Sequence, residues 1–245
     1  MSFTATGATA LRVLAQLRRD PRTVVMLIGV PCLLIALLKE IFLGRPEVFQ
    51  HIGAPLLGLF PFVLMFVVTS VVMLRERTSG TLERLLTMPI GKADVLAGYG
   101  LAFAGTAVIQ ALIVSGLAFG LLGLHVAGSH SAVVALAVGN AILGMSLGLL
   151  LSAFATTEFQ AVQFMPAVVF PQMLLCGLFV ARSEMATWLR DVSAALPLTY
   201  AYDALARVGR AGPYGATFAL DVVVVVGASV LALSVAAATL RRRTA

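Results

Sequence analysis

Six apolar blocks of about 20 residues constrain this chain more than any other feature. They run over residues 23–43, 53–74, 95–123, 132–155, 161–181 and 218–240. At about 1.5 Å of rise per residue, each can cross a hydrocarbon core of about 30 Å. Only 11% of residues are charged, against about 25% in a soluble domain. With no water to bond the backbone, such blocks are expected to be helices, so the fold is an all-α polytopic membrane protein with six transmembrane helices. Pro31, Pro61, Pro166 and Pro171 lie inside or near the ends of blocks. Neighbouring helices can bond the carbonyls that proline frees.

An even number of crossings places both termini on one side. That side holds Arg12, Arg18, Arg19, Arg22, Arg75, Arg77, Arg84, Lys92, Arg241, Arg242 and Arg243. The other holds Lys39, Arg45, Arg182, Arg190, Arg207 and Arg210. The excess of basic residues puts the termini in the cytoplasm. The formal net charge of +6 then reflects orientation and contact with anionic membrane lipids rather than nucleic acid. Arginine far outnumbers lysine, and Ala, Gly and Val abound, which points to a GC-rich bacterial genome and so to a bacterial cytoplasmic membrane.

Three segments break the pattern of span and loop. Residues 3–19 space Phe3, Ala10, Leu11, Leu14 and Leu17 between arginines, so residues 1–22 are read as an N-terminal amphipathic interfacial helix ahead of a membrane domain over 23–245. Residues 182–217 are too polar to span and too apolar for a free loop, and short half-inserted helices are expected there. Residues 75–90, RERTSGTLERLLTMPI, form a charged island between two apolar blocks. Each charge would cost about 2.5–3.5 kcal/mol in hydrocarbon, so the island lies at the membrane surface. Ser79 or Thr81 can cap a helix starting near Gly80, with Glu83 in its first turn and Leu82, Leu85 and Leu86 as one stripe. Pro89 stops it.

The run Glu76, Arg77, Gly80, Thr81 and Glu83, followed by LLTMPI, resembles the signature of ATP-binding-cassette type-2 permeases, the membrane subunits of type V exporters. The segment Leu196, Pro197, Leu198, Thr199 and Tyr200 is similar to that family's L-P-x-x-Y stretch. The resemblance implies that residues of about 76–90 form a cytoplasmic coupling helix docking on an ATPase through Glu76, Arg77, Gly80, Thr81, Glu83, Arg84 and Leu85. It implies two cytoplasmic ATPase subunits, and a second permease making a homo- or heterodimer. ATP and magnesium would be used by the ATPase, and this chain would bind no cofactor. The second and fifth spans would line a substrate cleft through Phe62, Phe66, Thr69, Phe164, Met165, Val168, Gln172 and Met173. An outer re-entrant segment over 182–217 would act as a gate shaped by Trp188, Pro197 and Tyr200.

The sequence contains no G-x-x-x-x-G-K-[ST] phosphate loop and no H-E-x-x-H, so ATP hydrolysis by this chain itself is not expected. Asn140, Gly144, Gly148 and Ser152 recur every four residues, a stripe suited to close helix packing. No Asp, Glu, Lys or Arg falls at mid-span, which disfavours a carboxylate proton relay. Aromatic and Met-rich cleft walls suit a drug-like or lipid-like amphipathic cargo. The rival readings are a secondary transporter or channel, and a non-transporting sensor or assembly subunit.

Overall fold

The computed structural model describes residues 3–81, 84 and 91–239, which are helical with connecting turns and contain no strand. Helix α1 spans Phe3–Arg18, α2 Pro21–Ile41, α3 Pro46–Thr78, α4 Lys92–Gly120 and α5 His130–Leu151. After α5 come α6 (Glu158–Phe164), a π-helical turn (Met165–Val169) and α7 (Phe170–Leu175). A 3₁₀ turn (Arg182–Glu184), α8 (Thr187–Ala194), α9 (Pro197–Gly209) and α10 (Ala216–Thr239) complete the chain.

Five of these helices, α2, α3, α4, α5 and α10, are long and apolar enough to cross a membrane. The fifth expected span, 161–181, is instead divided, and proline is the reason. Pro166 and Pro171 lack the N–H that an α-helix needs. The Phe170 amide bonds back five residues to the Met165 carbonyl, the π pattern that bridges the break.

Helices α3 and α5 form the centre, and their contact depends on the small-residue stripe. A Cβ on Gly144 would collide with the Phe62 carbonyl oxygen, and one on Gly148 with the Phe66 carbonyl and Thr69 hydroxyl. With hydrogen at those positions, the backbones approach closely enough for Thr69 Oγ1 to donate to the Met145 carbonyl at 3.2 Å. About 72% of the most apolar stretch of α3 is buried, against 17% of α2 and 22% of α10. The last two therefore present Leu33, Leu37, Val223, Val226 and Val230 outward. Such a surface is stable only against lipid or a further apolar partner.

Proline inside α2 has a specific compensation. Pro31 cannot donate to the Leu27 carbonyl, and Gln110 Nε2 of α4 does so across the helix interface at 2.6 Å. Helix α2 itself starts on Asp20, whose carboxylate accepts from the Thr23 amide at 3.3 Å and the Thr23 hydroxyl at 2.6 Å. These bonds hold the Asp20 carboxyl below its ordinary value.

Candidate coupling joint and outer charge cluster

Arg75, Glu76 and Arg77 are the last turn of α3, not part of a separate helix. Ser79 is correspondingly the C-cap of α3 rather than the N-cap of the next helical turn. Its amide bonds the Arg75 carbonyl at 2.9 Å, and its hydroxyl bonds the Glu76 carbonyl at 3.4 Å. Gly80 comes next at φ +72°, the left-handed conformation that ends helices and that a Cβ disfavours. The Arg84 amide then bonds the Gly80 carbonyl at 3.0 Å, so a new helical turn starts at Gly80. The turn begins where the residue pattern predicts it, but Ser79 caps the helix before it. Thr81 is half-buried and shares a 3.0 Å hydroxyl contact with Ser79, and Arg84 is exposed. Glu83 and Leu85 lie outside the described residues.

The family resemblance assigns Glu76 to a docking face, but only 4% of its side chain is exposed. The Tyr99 hydroxyl of α4 donates to Glu76 Oε2 at 2.7 Å, and Gln16 Nε2 of α1 donates to Oε1 at 2.9 Å. Arg12 of α1 pairs with Oε2 at 3.4 Å, also donates to the Tyr99 hydroxyl, and lies over the Tyr99 ring. One carboxylate thus joins three helices. The approach of α1 to α4 relies on Gly98, where a Cβ would press on Thr9 at 2.5 Å and the Thr6 carbonyl at 2.9 Å. The packed face of α1 is Thr9 and Val13, while Phe3 and Leu11 point outward. Arg77 is half-buried, and its Nε has no hydrogen-bond partner among the described residues. Close by, Arg75 and Glu158 form an exposed two-pronged ion pair at 2.8 and 3.0 Å, linking α3 to α6.

The residues expected in the cleft fall into two groups. Phe62, Phe66 and Thr69 are wholly buried between α3 and α5. Phe164, Met165 and Met173 pack on the same apolar cluster but remain partly accessible, as does Val168. Gln172 is buried, its amide nitrogen bonded to the Val168 carbonyl at 3.2 Å. At the expected gate, Pro197 opens α9 and the Tyr200 hydroxyl reaches back to the Ala194 carbonyl at 2.7 Å. Trp188 on α8 is exposed.

A second charged cluster sits at the opposite end of α3. Arg182 bonds Asp203 at 3.2 Å and the Ser193 hydroxyl at 3.0 Å. Arg207 faces Asp221 of α10 at 3.7 Å, and Arg210 reaches His51 of α3 at 2.9 Å. Burial pushes the Asp203 carboxyl above its ordinary value, and Arg182 opposes that shift. From His51 to Glu76, α3 rises about 37 Å, more than the roughly 30 Å of a hydrocarbon core. The two polar clusters therefore bracket an apolar slab of membrane thickness.

Neither cluster can be assembled from sequence, although each leaves a trace there. Tyr99 is a lone phenol near the start of an apolar block, and Asp221 is the single acid in the last one. Nothing in their spacing tells which arginine each would meet.

An all-helical chain with several membrane-length apolar helices and a polar layer at each end is a multi-pass integral membrane protein. Residues 4–208 match the family described as ABC-2 type transporter, and the chain belongs to that family as a membrane subunit. It is 28% identical over 151 residues to the probable multidrug ABC transporter permease YbhR of Escherichia coli, covering 60% of this chain and 40% of that protein. It is 27% identical over 143 residues to the inner membrane transport permease YhhJ of the same organism, covering 56% and 37%. With the ABC transporter G family member 20 of Dictyostelium discoideum it shares 26% over 147 residues, covering 60% and 20%. The matched regions span less than half the length of these relatives.

Proposed function

We propose that this chain is the permease half of an ATP-driven exporter, moving a hydrophobic or amphipathic molecule out across a bacterial cytoplasmic membrane. Two such chains, identical or not, would work with two cytoplasmic ATPase subunits, which bind the ATP and magnesium. The observation that carries the reading is the Glu76 joint at the base of the island. A segment that receives force from an ATPase must be fixed to more than one helix, and Glu76 ties the end of α3 to α1 and α4. Arg77, Gly80, Thr81, Glu83, Arg84 and Leu85 remain for the docking face.

In this arrangement α6, the π turn and α7 together form the fifth of six crossings, between α5 and α10. Glu158 to Leu175 is 18 residues of continuous helical backbone, about 27 Å at 1.5 Å per residue. Both termini are then cytoplasmic, α1 lies along the inner interface with Phe3 and Leu11 toward lipid, and α8 and α9 form the outer re-entrant gate. Cargo would meet Phe164, Met165, Val168 and Met173 first, with Phe62, Phe66, Thr69 and Gln172 behind them. The name of the E. coli relative YbhR includes multidrug transport, which supports an amphipathic cargo.

The test is co-purification with an ABC ATPase, followed by ATPase and vesicle efflux assays against amphipathic drugs and lipids. Gly80→Pro forces φ to about −65° at a position that sits at +72°, a conformation the proline ring cannot adopt. Substrate stimulation of the ATPase should disappear while membrane insertion persists. Unaltered stimulation in Gly80→Pro, or efflux that continues without any ATPase on a proton gradient, would overturn the reading.

A further inference from the structure

Beside the Arg182–Asp203 pair lies an open cavity of about 500 Å³. Its polar lining is Arg182, Tyr202, Asp203, Arg207 and Arg210, and its apolar lining includes Ala181, Ala206 and Pro213. Three guanidinium groups face this space, with two carboxylates, Asp203 and Asp221, set against them. The balance is one positive charge in excess. The internal pairing is also incomplete. Arg207 meets Asp221 only at 3.7 Å, and its buried Nε has no hydrogen-bond partner among the described residues. Arg210 is exposed at the rim, where it reaches the ring of His51.

The rim is built at a cost. Helix α9 ends with the Gly212 amide on the Arg207 carbonyl at 2.8 Å and the Ala211 amide on the Val208 carbonyl at 3.1 Å. That pattern places Ala211 in the left-handed region, at φ 54°, where glycine is the usual residue. A Cβ at Gly212 would press on Arg207 Cγ at 2.8 Å. The turn therefore holds Arg207 and Arg210 on one side of the same cavity.

We propose that this pocket binds a phosphate-type oxyanion carried by the headgroup of an anionic phospholipid. A guanidinium offers a planar fork of N–H donors that matches phosphate oxygens two at a time, and here three forks converge. The apolar part of the lining accommodates the glycerol and first methylenes of a lipid better than it does a fully hydrated ion. Bound phosphate would meet the terminal N–H groups of Arg207 and Arg210 and compete with Asp203 for Arg182. The site lies on and beside α9, in the segment read as the gate, away from the island, and its occupancy can be measured without cargo or ATPase.

The experiment uses the purified full-length chain in detergent, with retained lipid read by native mass spectrometry. Phosphatidylglycerol, phosphatidylcholine and inorganic phosphate are the three probes. One phosphatidylglycerol per chain should be retained, in preference to phosphatidylcholine. Arg207→Gln and Arg210→Gln should each weaken retention about tenfold, the scale of one charge-assisted hydrogen bond. Asp203→Asn should tighten it, because Arg182 is released, whereas a purely structural role for the cluster would make every variant weaker. Arg190→Gln, on the exposed face of α8, should leave retention unchanged. If Arg207→Gln does not fold, the rim variant Arg210→Gln decides. Inorganic phosphate binding with the same order of variants, without lipid retention, supports the oxyanion site and makes its source the free ion. Equal retention of both lipids, or no response to Arg210→Gln and Asp203→Asn, would overturn the proposal. Because no ATP or transport enters the measurement, its failure is distinct from failure of the exporter reading.

Discussion

The two ends of α3 carry charged clusters built from similar residues and finished differently. At Glu76, a single buried carboxylate receives three donors from two other helices, and the side chains close over it. At Asp203 and Asp221, three arginines are shared loosely between two carboxylates around an open cavity. A fully bonded buried ion is rigid, since moving any member leaves a charge without compensation. A partly bonded cluster beside a cavity keeps donors in reserve. The first arrangement suits a mechanical joint and the second a binding surface.

The largest effect should come from breaking the joint. Glu76→Ala leaves the Tyr99 hydroxyl, Gln16 and Arg12 without their acceptor, at about 3 kcal/mol, the low end for a broken buried pair because Arg12 is partly exposed. Thermal unfolding in detergent measures this, and a loss no larger than that of a surface substitution would mean that the joint bears little strain. On the proposed exporter function, substrate stimulation of a partner ATPase should fall further in Glu76→Ala than in Arg12→Gln.

A stabilising change is expected at the other cluster. Ala211→Gly relieves a left-handed backbone worth about 1–2 kcal/mol, less about 0.4–1 kcal/mol for the greater freedom of glycine in the unfolded chain, so stability should rise by up to about 1 kcal/mol. A fall in the unfolding temperature would show that the Ala211 methyl group contributes packing that outweighs the strain.

The exposed Arg75–Glu158 pair provides the contrast to Glu76 on the same side. Each partner keeps about half of its side-chain surface, 54% and 53%, so Arg75→Ala should cost only about 0.2–1 kcal/mol. The loss should shrink further in high salt. A double-mutant cycle with Glu158→Ala measures the pair directly.

The smallest effect concerns acidity. Burial raises the Asp203 carboxyl above 3.8 in the folded chain, so the folded state binds this proton more readily than the unfolded state. The resulting stabilisation exists at acid pH and is lost as pH rises through the raised value. Relative to Asp203→Asn, the wild type should therefore lose unfolding temperature as pH climbs from about 3.8 through the mildly acid range. Parallel pH curves for the two proteins would place Asp203 in water rather than in the cluster.

Much of the architecture is legible in the sequence, and the exceptions have physical causes. Apolar block length identifies five of the helices because burial in lipid depends on local composition. The small-residue stripe from Asn140 to Ser152 announces close packing because only glycine-sized positions permit it. Pro166 and Pro171 are visible, but the π turn that accommodates them depends on how the helical backbone re-registers after each missing N–H. Ser79 reads as an N-cap by residue type, and the continuation of α3 through Glu76 and Arg77 places it at the C-terminal end instead.

Local composition alone establishes that this chain belongs in a membrane, where its long helices run, and which segment is charged beyond what lipid allows. Those are sums over neighbouring residues, and neighbours are what a sequence records. The packing of the helices was needed to show that Glu76 belongs to Arg12, Gln16 and Tyr99, and that Arg207 faces Asp221 across α9 and α10. A charge is satisfied by whatever the fold brings within about 3 Å of it, and at the Glu76 joint those partners come from 23 to 64 residues away.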